Sequence, residues 1–341
     1  MSDRLEDIAA RMVADGKGIL AADESEGTIK KRFDSINTQL TADSRRDYLE
    51  MLFRAEDAMK SCISGVILFD ETLRQKAKDG TPLAALITDA GAVPGIKVDK
   101  GTKPLPGFAG ETITEGLDGL RERLSEYHGL GARFAKWRGV ISISSGLPTW
   151  GAVKQNAQAL ARYAALCQEA SIVPIVEPEV LMDGTPGDHS IDRCAEVSEW
   201  VLKTVFAELY DARVMLEGMV LKPNMVIDGK NARKAGVDEI AEKTVRCLKA
   251  TVPAAVPGIA FLSGGQSDSE ATAHLSAMNA ANDLPWKLTF SYGRALQAAA
   301  LQAWQGKPEN VAAGQRAFAH RARMNGMAAQ GKWSKALEKA A

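Results

Sequence analysis

Short apolar runs alternate along the chain with longer segments whose apolar residues recur every three or four positions. The first pattern predicts buried strands and the second predicts amphipathic helices. Leu5, Ile8 and Met12 fall on one side of residues 3–13, a short helix ahead of an apolar strand at 18–22. Helical spacing returns at 43–59 through Tyr48, Leu49, Leu52, Phe53 and Met59, with Asp43 or Ser44 as its cap. Further strands are expected at 65–69, 94–98, 134–144 and 172–179, and helices at 114–130, 152–169 and 192–209. A Gly- and Pro-rich loop runs from the third strand to Gly110. Strands at 214–224, 258–262 and 287–290 then alternate with helices at 237–248, 268–278 and 295–304. The remainder is rich in Ala, Lys and Arg and reads as helical and then frayed.

The 214–224 run, Val-Met-Leu-Glu-Gly-Met-Val-Leu-Lys-Pro-Asn, is interrupted only by Glu217 before Lys222. Such a run reads as a strand buried on both faces. Pro223 keeps Lys222 out of the helical region, which places its ammonium at the rim of that strand. A lysine there either snorkels to solvent, joins an ion pair, or is a desolvated amine ready to act as a nucleophile.

About eight short strands alternating with helices predict an α/β fold, a closed (β/α)8 TIM barrel with a short N-terminal helix and a C-terminal helical tail. The alternative, a doubly wound open sheet, carries a Gly-rich first turn, and Gly18-Ile19-Leu20-Ala21 is not one. Nothing resembles a linker, so 1–341 is expected to be one barrel domain, with the N-terminal helix within 1–16 and the tail over 305–341.

Composition narrows the functional classes. With 45% hydrophobic residues in 341, the chain can bury a large core. A net charge of −1 and the absence of a basic block argue against nucleic acid or an anionic membrane as partner. No apolar run approaches the roughly 20 residues of a bilayer span. Asp3, Glu6 and Asp7 sit where an export signal would be apolar, so a cytoplasmic protein is expected. Cys62, Cys167, Cys194 and Cys247 lie far apart and suit reduced core thiols. The four histidines are equally scattered and offer no metal-binding spacing, so a zinc site built mainly from histidine is not expected, while ligands distant in sequence stay open.

Catalytic groups in such a barrel come from the carboxyl ends of its strands. Asp23 ends the first strand and Lys97 lies near the end of the third. Lys136 and Arg138 share a face of the fourth, Glu177 and Glu179 a face of the fifth, and Lys222 ends the sixth. Either these form an ion-pair cluster at the rim or they are an acid–base set whose members perturb one another. Ser263-Gly264-Gly265 after the seventh strand, and Ser291, Gly293 and Arg294 at the end of the eighth, suit a phosphate, although Gly-Gly alone marks only a tight turn. Lys97, Arg138, Ser25 and Thr28 are available for a second anionic group, as a bisphosphorylated substrate requires.

Seven segments resemble successive signatures of class I fructose-bisphosphate aldolases. They are GILAADES from Gly18, GIKVDKG from Gly95, FAKWR from Phe134, VEPE from Val176, LKPNM from Leu221, FLSGGQ from Phe261 and FSYGRAL from Phe290. The resemblance runs in order from about Gly16 to Trp304. It implies that Lys222 forms a Schiff base with the ketone of fructose 1,6-bisphosphate and that Glu177 shuttles protons. It implies Asp23 as the base at the bond that breaks, with Lys136 and Glu179 holding the charge state. Ser263, Gly264, Ser291, Gly293 and Arg294 then hold the phosphate on the dihydroxyacetone side, and Lys97, Arg138 and Ser25 the other end. It further implies sugar phosphates as partners, no cofactor, and a homotetramer. The family's terminal tyrosine is absent, since the chain ends Glu338-Lys339-Ala340-Ala341. Alternatives are a Schiff-base aldolase of another phosphoketose, such as fructose 1-phosphate, or a silent phosphometabolite-binding scaffold.

Overall fold

Residues 4–280 and 284–339 are described by a computed structural model. Asp3, the expected start of the first helix, and Ala340–Ala341 at the expected frayed end lie outside the described residues. The strands are β1 (Gly18–Ala22), β2 (Ile63–Leu68), β3 (Val93–Lys97), β4 (Thr102–Pro104), β5 (Thr112–Thr114), β6 (Phe134–Ile141), β7 (Val173–Val180), β8 (Val220–Leu221), β9 (Gly258–Phe261) and β10 (Lys287–Tyr292). The helices are α1 (Leu5–Met12), α2 (Glu26–Asp34), α3 (Ala42–Phe53), α4 (Glu56–Cys62), α5 (Asp70–Arg74), α6 (Leu83–Asp89), α7 (Leu120–Gly129), α8 (Trp150–Glu169), α9 (Ile191–Asp211), α10 (Val237–Thr251), α11 (Asp268–Ala280), α12 (Arg294–Trp304) and α13 (Val311–Ala328). Eight strands close in the order β1-β10-β9-β8-β7-β6-β3-β2, all parallel, with helices around them. This is the expected (β/α)8 barrel; β4 and β5 form a separate antiparallel hairpin.

Alternate residues of each strand point into the barrel or out toward the helices. Ile19 and Ala21, Val93, Phe134, Val173 and Ile175, Val220 and Ala260 form an inner apolar cluster. Ile8, Ala9, Met12 and Val13, on and just after α1, join that cluster and seal the amino-terminal end. Outward residues such as Leu20, Val66, Ile96, Trp137, Val176 and Leu221 join the larger core under the helices. The inner set, continued two residues at a time, reaches Asp23, Lys97, Lys136, Arg138, Glu177, Glu179 and Lys222. One register therefore gives a dry lower barrel and a charged mouth.

Three local expectations are corrected. The 214–224 run is not one strand: only Val220–Leu221 pairs, preceded by a 3-10 turn at Leu216–Gly218. The Gln168 amide donates to the carbonyls of Met215 and Gly218 and accepts from Met215 N, which pulls the chain out of extended form. The 114–130 helix starts only at Leu120, because Thr112–Thr114 pairs in the hairpin and Gly116 and Gly119 take positive φ. The 43–59 helix is two, α3 and α4, and its cap is Thr41. The Thr41 hydroxyl accepts from Ser44 N at 3.0 Å while Ser44 Oγ accepts from Thr41 N at 2.9 Å.

The pattern missed α2, α5, α6 and the hairpin; the first three are helices of 9, 5 and 7 residues. The C-terminal segment is helical as expected over α13, and Glu338 anchors its last described turn. Glu338 accepts two bonds from Arg321, at 2.6 and 2.9 Å, and one from Trp333 Nε1 at 2.9 Å.

Gly95 makes room for the ring of Phe134 inside the barrel, where an added Cβ would lie 2.2 Å from a ring carbon. Gly95→Ala is expected to cost about 1–3 kcal/mol by overpacking. Gly95→Ala combined with Phe134→Leu should recover part of that loss, measured as urea midpoints at constant slope. Equal midpoints for Gly95→Ala and wild type would show that this space is not needed.

Candidate active site

At the carboxyl end of the barrel the inward side chains enclose a cleft of about 370 Å³. Asp23, Lys97, Lys136, Arg138, Glu177, Glu179 and Lys222 line it, together with Ser25, Thr28, Ser263, Gly264, Ser291 and Gly293. Gly265 and Arg294 do not. Gly265 faces Met182, and Arg294 turns away to the carbonyl of Gln266 and to Asp268 Oδ1 at 3.4 Å.

Charges of opposite sign alternate across the mouth. Lys136 Nζ lies 3.1 Å from Asp23 Oδ2 and 3.0 Å from Glu177 Oε2. The other oxygen of Glu177 lies 3.1 Å from Lys222 Nζ. Asp23, Lys136, Glu177 and Lys222 thus form one chain drawn from β1, β6, β7 and β8, with Lys222 and Glu177 each only 3% exposed. Beside it Arg138 pairs with Glu179, and Lys97 pairs with Asp99 at 2.7 Å. Burial of this kind is tolerated only when every charge meets its complement.

Burial by itself disfavours the Asp23 anion, but Lys136, Lys222 and Lys97 outweigh it and hold the carboxyl below its ordinary range. Burial likewise opposes the Lys136 ammonium, yet Asp23 and Glu177, with help from Asp99, keep it above the ordinary lysine range. Glu179 goes the other way. Burial lifts its carboxyl, Arg138 opposes this, and Glu177 adds to it. Asp23 and Glu179, two carboxyls of one mouth, are thereby pushed in opposite directions, as acid–base chemistry requires.

The phosphate-type groups sit on either side of this chain. Ser291 Oγ is buried at the end of β10 without a hydrogen-bond partner among the described residues. Gly264 takes a positive φ, and Gly293 immediately precedes the first turn of α12, where amide groups are free to meet an anion. Ser25 Oγ lies 3.2 Å from Thr28 Oγ1 at the start of α2.

Sequence reading passed over Glu24, Arg32 and Asp99, which also line the cleft. Arg32 pairs with Glu24, whose carboxylate also accepts from Gln297 Nε2 at 2.9 Å. Its guanidinium lies beside Gly293, 3.5 Å from where a Cβ would stand. The spacing Ser25, Thr28, Arg32 marks one helical face, and Lys97 and Asp99 share one strand face. Both signals were present, but α2 itself was not recognised. Asp99 also accepts from the amides of Gly101 at 3.1 Å and Arg138 at 3.4 Å, joining β3 to β6.

The shifts at Asp23 and Lys136 make a stability prediction with a definite sign. A carboxyl held low stabilises the fold fully above its unfolded value near 3.9, and loses that contribution as pH falls through the lower folded value. A lysine held high contributes below its unfolded value near 10.4 and loses that as pH rises. Lys136→Met leaves buried carboxylates without their cation and should lower unfolding free energy by about 3–5 kcal/mol at pH 7. The gap to wild type should narrow below about pH 4, as carboxyls protonate. Urea titrations from pH 7 to pH 3 measure it, and a constant gap would rule out a charge-based role.

Comparison with known proteins gives this geometry its context. Residues 4–341 match the family model described as fructose-bisphosphate aldolase class-I. The chain is 55% identical over 97% of its length, and 98% of the relative's, to a probable fructose-bisphosphate aldolase class 1 of Xanthomonas campestris pv. campestris. It is 54% identical to fructose-bisphosphate aldolase C of Rattus norvegicus over 96% of this chain and 90% of that one. A solved fructose-bisphosphate aldolase of Plasmodium falciparum, in complex with TRAP and a small-molecule inhibitor, superposes with a TM-score of 0.93 at 49% identity, covering 97% of this chain and 95% of that one. Barrel, charged mouth and near full-length similarity agree: the chain belongs to the class I fructose-bisphosphate aldolases, which are carbon–carbon lyases.

Proposed function

We propose that this aldolase cleaves fructose 1,6-bisphosphate to dihydroxyacetone phosphate and glyceraldehyde 3-phosphate through an imine on Lys222, without a metal or other cofactor. The observation that carries this reading is the buried Lys222 ammonium 3.1 Å from Glu177, with Lys136 linking Glu177 to Asp23. Glu177 is placed to take the proton from Lys222, leaving a neutral amine to attack the ketone carbon. The same carboxyl returns a proton to the carbinolamine oxygen, which departs as water. The resulting iminium at C2 draws in the electron pair of the C3–C4 bond, which becomes the enamine, as Asp23 takes the proton of the C4 hydroxyl and the aldehyde forms. Glyceraldehyde 3-phosphate leaves, the remaining enamine is protonated, and hydrolysis frees the ketose phosphate and Lys222.

Lys136, within reach of both carboxylates, stabilises their anions at each proton transfer. Glu179, held by Arg138, supports Glu177 along the same strand. Ser291, Ser263, Gly264 and Gly293 suit the phosphate next to the ketone, whereas Gly265 stands outside the cleft. Arg294 joins them once it leaves Gln266 and Asp268. Lys97, Arg138, Ser25 and Thr28 suit the far end.

Four free cysteines, all buried, favour a reducing compartment, and we place the reaction in the cytoplasm. We further propose a homotetramer, as the class I resemblance implies. Trp150, stacked on Trp200 yet 60% exposed, supplies apolar surface for such a contact.

Lys222→Arg should reduce turnover by at least about 10⁴-fold, since it removes the only proposed nucleophile. Borohydride reduction with dihydroxyacetone phosphate, with and without a chelator, should give equal adducts on Lys222 by peptide mass mapping. An adduct on another lysine, or one lost on chelation, would overturn the mechanism. Fructose 1-phosphate should turn over more slowly than the bisphosphate; equal rates would count against the bisphosphate assignment.

A further inference from the structure

Lys222 follows a strand of only two residues, yet its amine must keep a fixed distance from β7. Pairing of β7 with β8 ends at Val176 and Leu221, and the last backbone bond runs from Lys222 N to the carbonyl of Val176 at 2.8 Å. In a parallel pair, backbone groups two residues apart face the same neighbour. The next donors on this edge of β7 therefore belong to Pro178 and Val180. Pro178 has no N–H. Val180 N donates to a side chain instead, Oδ1 of Asn224, at 2.9 Å.

Asn224 is buried, and its Nδ2 is spoken for as well. It donates to the carbonyl of Met225 at 3.0 Å and to Ser198 Oγ on α9 at 3.3 Å. The amide is thereby held in one orientation, with its oxygen toward β7. On the other side, the chain is tied to β9 by the bond from Leu262 N to the carbonyl of Pro223 at 3.1 Å. Glu177 and Glu179 lie between the Val176 and Val180 attachments, so these two bonds bracket the carboxylates that face Lys222.

We propose that Asn224 is a positioning residue for the aldol chemistry: its side-chain amide replaces the backbone ladder that Pro178 interrupts, and so fixes the reach of Lys222 to Glu177. The proposal rests on the roles given above to Lys222 and Glu177. Proton transfer needs heavy atoms about 2.6–3.2 Å apart, and the observed 3.1 Å leaves little slack. A misplacement of about 1 Å caused by a residue outside the chemistry can cost about 100-fold in rate.

The test compares Asn224→Ala, Asn224→Asp and Ser198→Ala in full-length enzyme, reading kcat, KM and the rate of borohydride-trapped adduct formation with dihydroxyacetone phosphate. Asn224→Ala should lower kcat and the trapping rate together by about 10–100-fold, with KM within about threefold of wild type. Asn224→Asp keeps an acceptor for Val180 N and should recover most of that loss. Ser198→Ala, which keeps the Asn224–Val180 bond, should trap at nearly the wild-type rate. If Asn224→Ala does not fold, Asn224→Ser, whose hydroxyl is one bond too short for Val180 N, is read by the same criteria. A loss no larger than the fall in folded fraction, a KM that rises in step, or an Asn224→Asp enzyme as slow as Asn224→Ala would each overturn the positioning role. An absence of any wild-type adduct on Lys222 would overturn the underlying roles with it, whereas a normal wild-type adduct beside an unaffected Asn224→Ala removes this proposal alone.

Discussion

The constraint on which the structure depends is that four charges, Asp23, Lys136, Glu177 and Lys222, are kept together out of water. Removing an ion from water costs several kcal/mol even in a relaxed protein, and attraction in the interior offsets that only when each charge meets a complement. The four come from four strands, so no segment of the chain can satisfy the condition alone. Closure of the barrel is what brings β1, with Asp23, within 3.1 Å of the Lys136 ammonium on β6. Fold and chemistry are in this respect one requirement.

The layers beneath serve that requirement. Ile19, Val93, Phe134, Val173, Ile175 and Val220 fill the barrel below the charges, and α1 closes its far end. Water is thereby kept from one side of the site, which strengthens the electrostatic interactions above it. Polar groups of a different kind surround the mouth. Hydroxyls, glycine amides and the first turns of α2 and α12 present donors without adding buried charge, an arrangement suited to a doubly anionic substrate. Arg32 extends this ring across the start of α12, beside Gly293.

Regular pairing gives way at the point where Lys222, the proposed nucleophile, stands. β7 is eight residues long and β8 only two, and beyond Leu221 the chain is buried without being a strand. Pro178 and Pro223 lack the donors that a continued ladder needs. Side-chain amides take over both ends of this stretch: Gln168 holds the turn before β8, and Asn224 holds the chain after it. The backbone around Lys222 is thus fixed by particular side chains rather than by sheet geometry.

Much of this was legible in the sequence because it depends on neighbours along the chain. Period-two alternation put Lys136 with Arg138 and Glu177 with Glu179 on shared strand faces, Lys97 and Lys222 read as strand-end residues, and the succession of strands and helices identified the barrel. The short helices α2, α5 and α6 escaped notice because one or two turns carry too little periodicity to stand out, and Arg32 was passed over with α2. The length of β8 depends on partners that periodicity does not reveal. Gln168 meets Met215 across 47 residues, and Asn224 meets Val180 across 44. Sequence by itself determined which residues are apolar, which are charged, and on which face of a strand each lies. Tertiary structure alone decided which charges meet and which do not. That Lys136 bridges two carboxylates while Arg294 turns toward Asp268 follows from distances set by barrel closure and helix packing, and no local pattern encodes those distances.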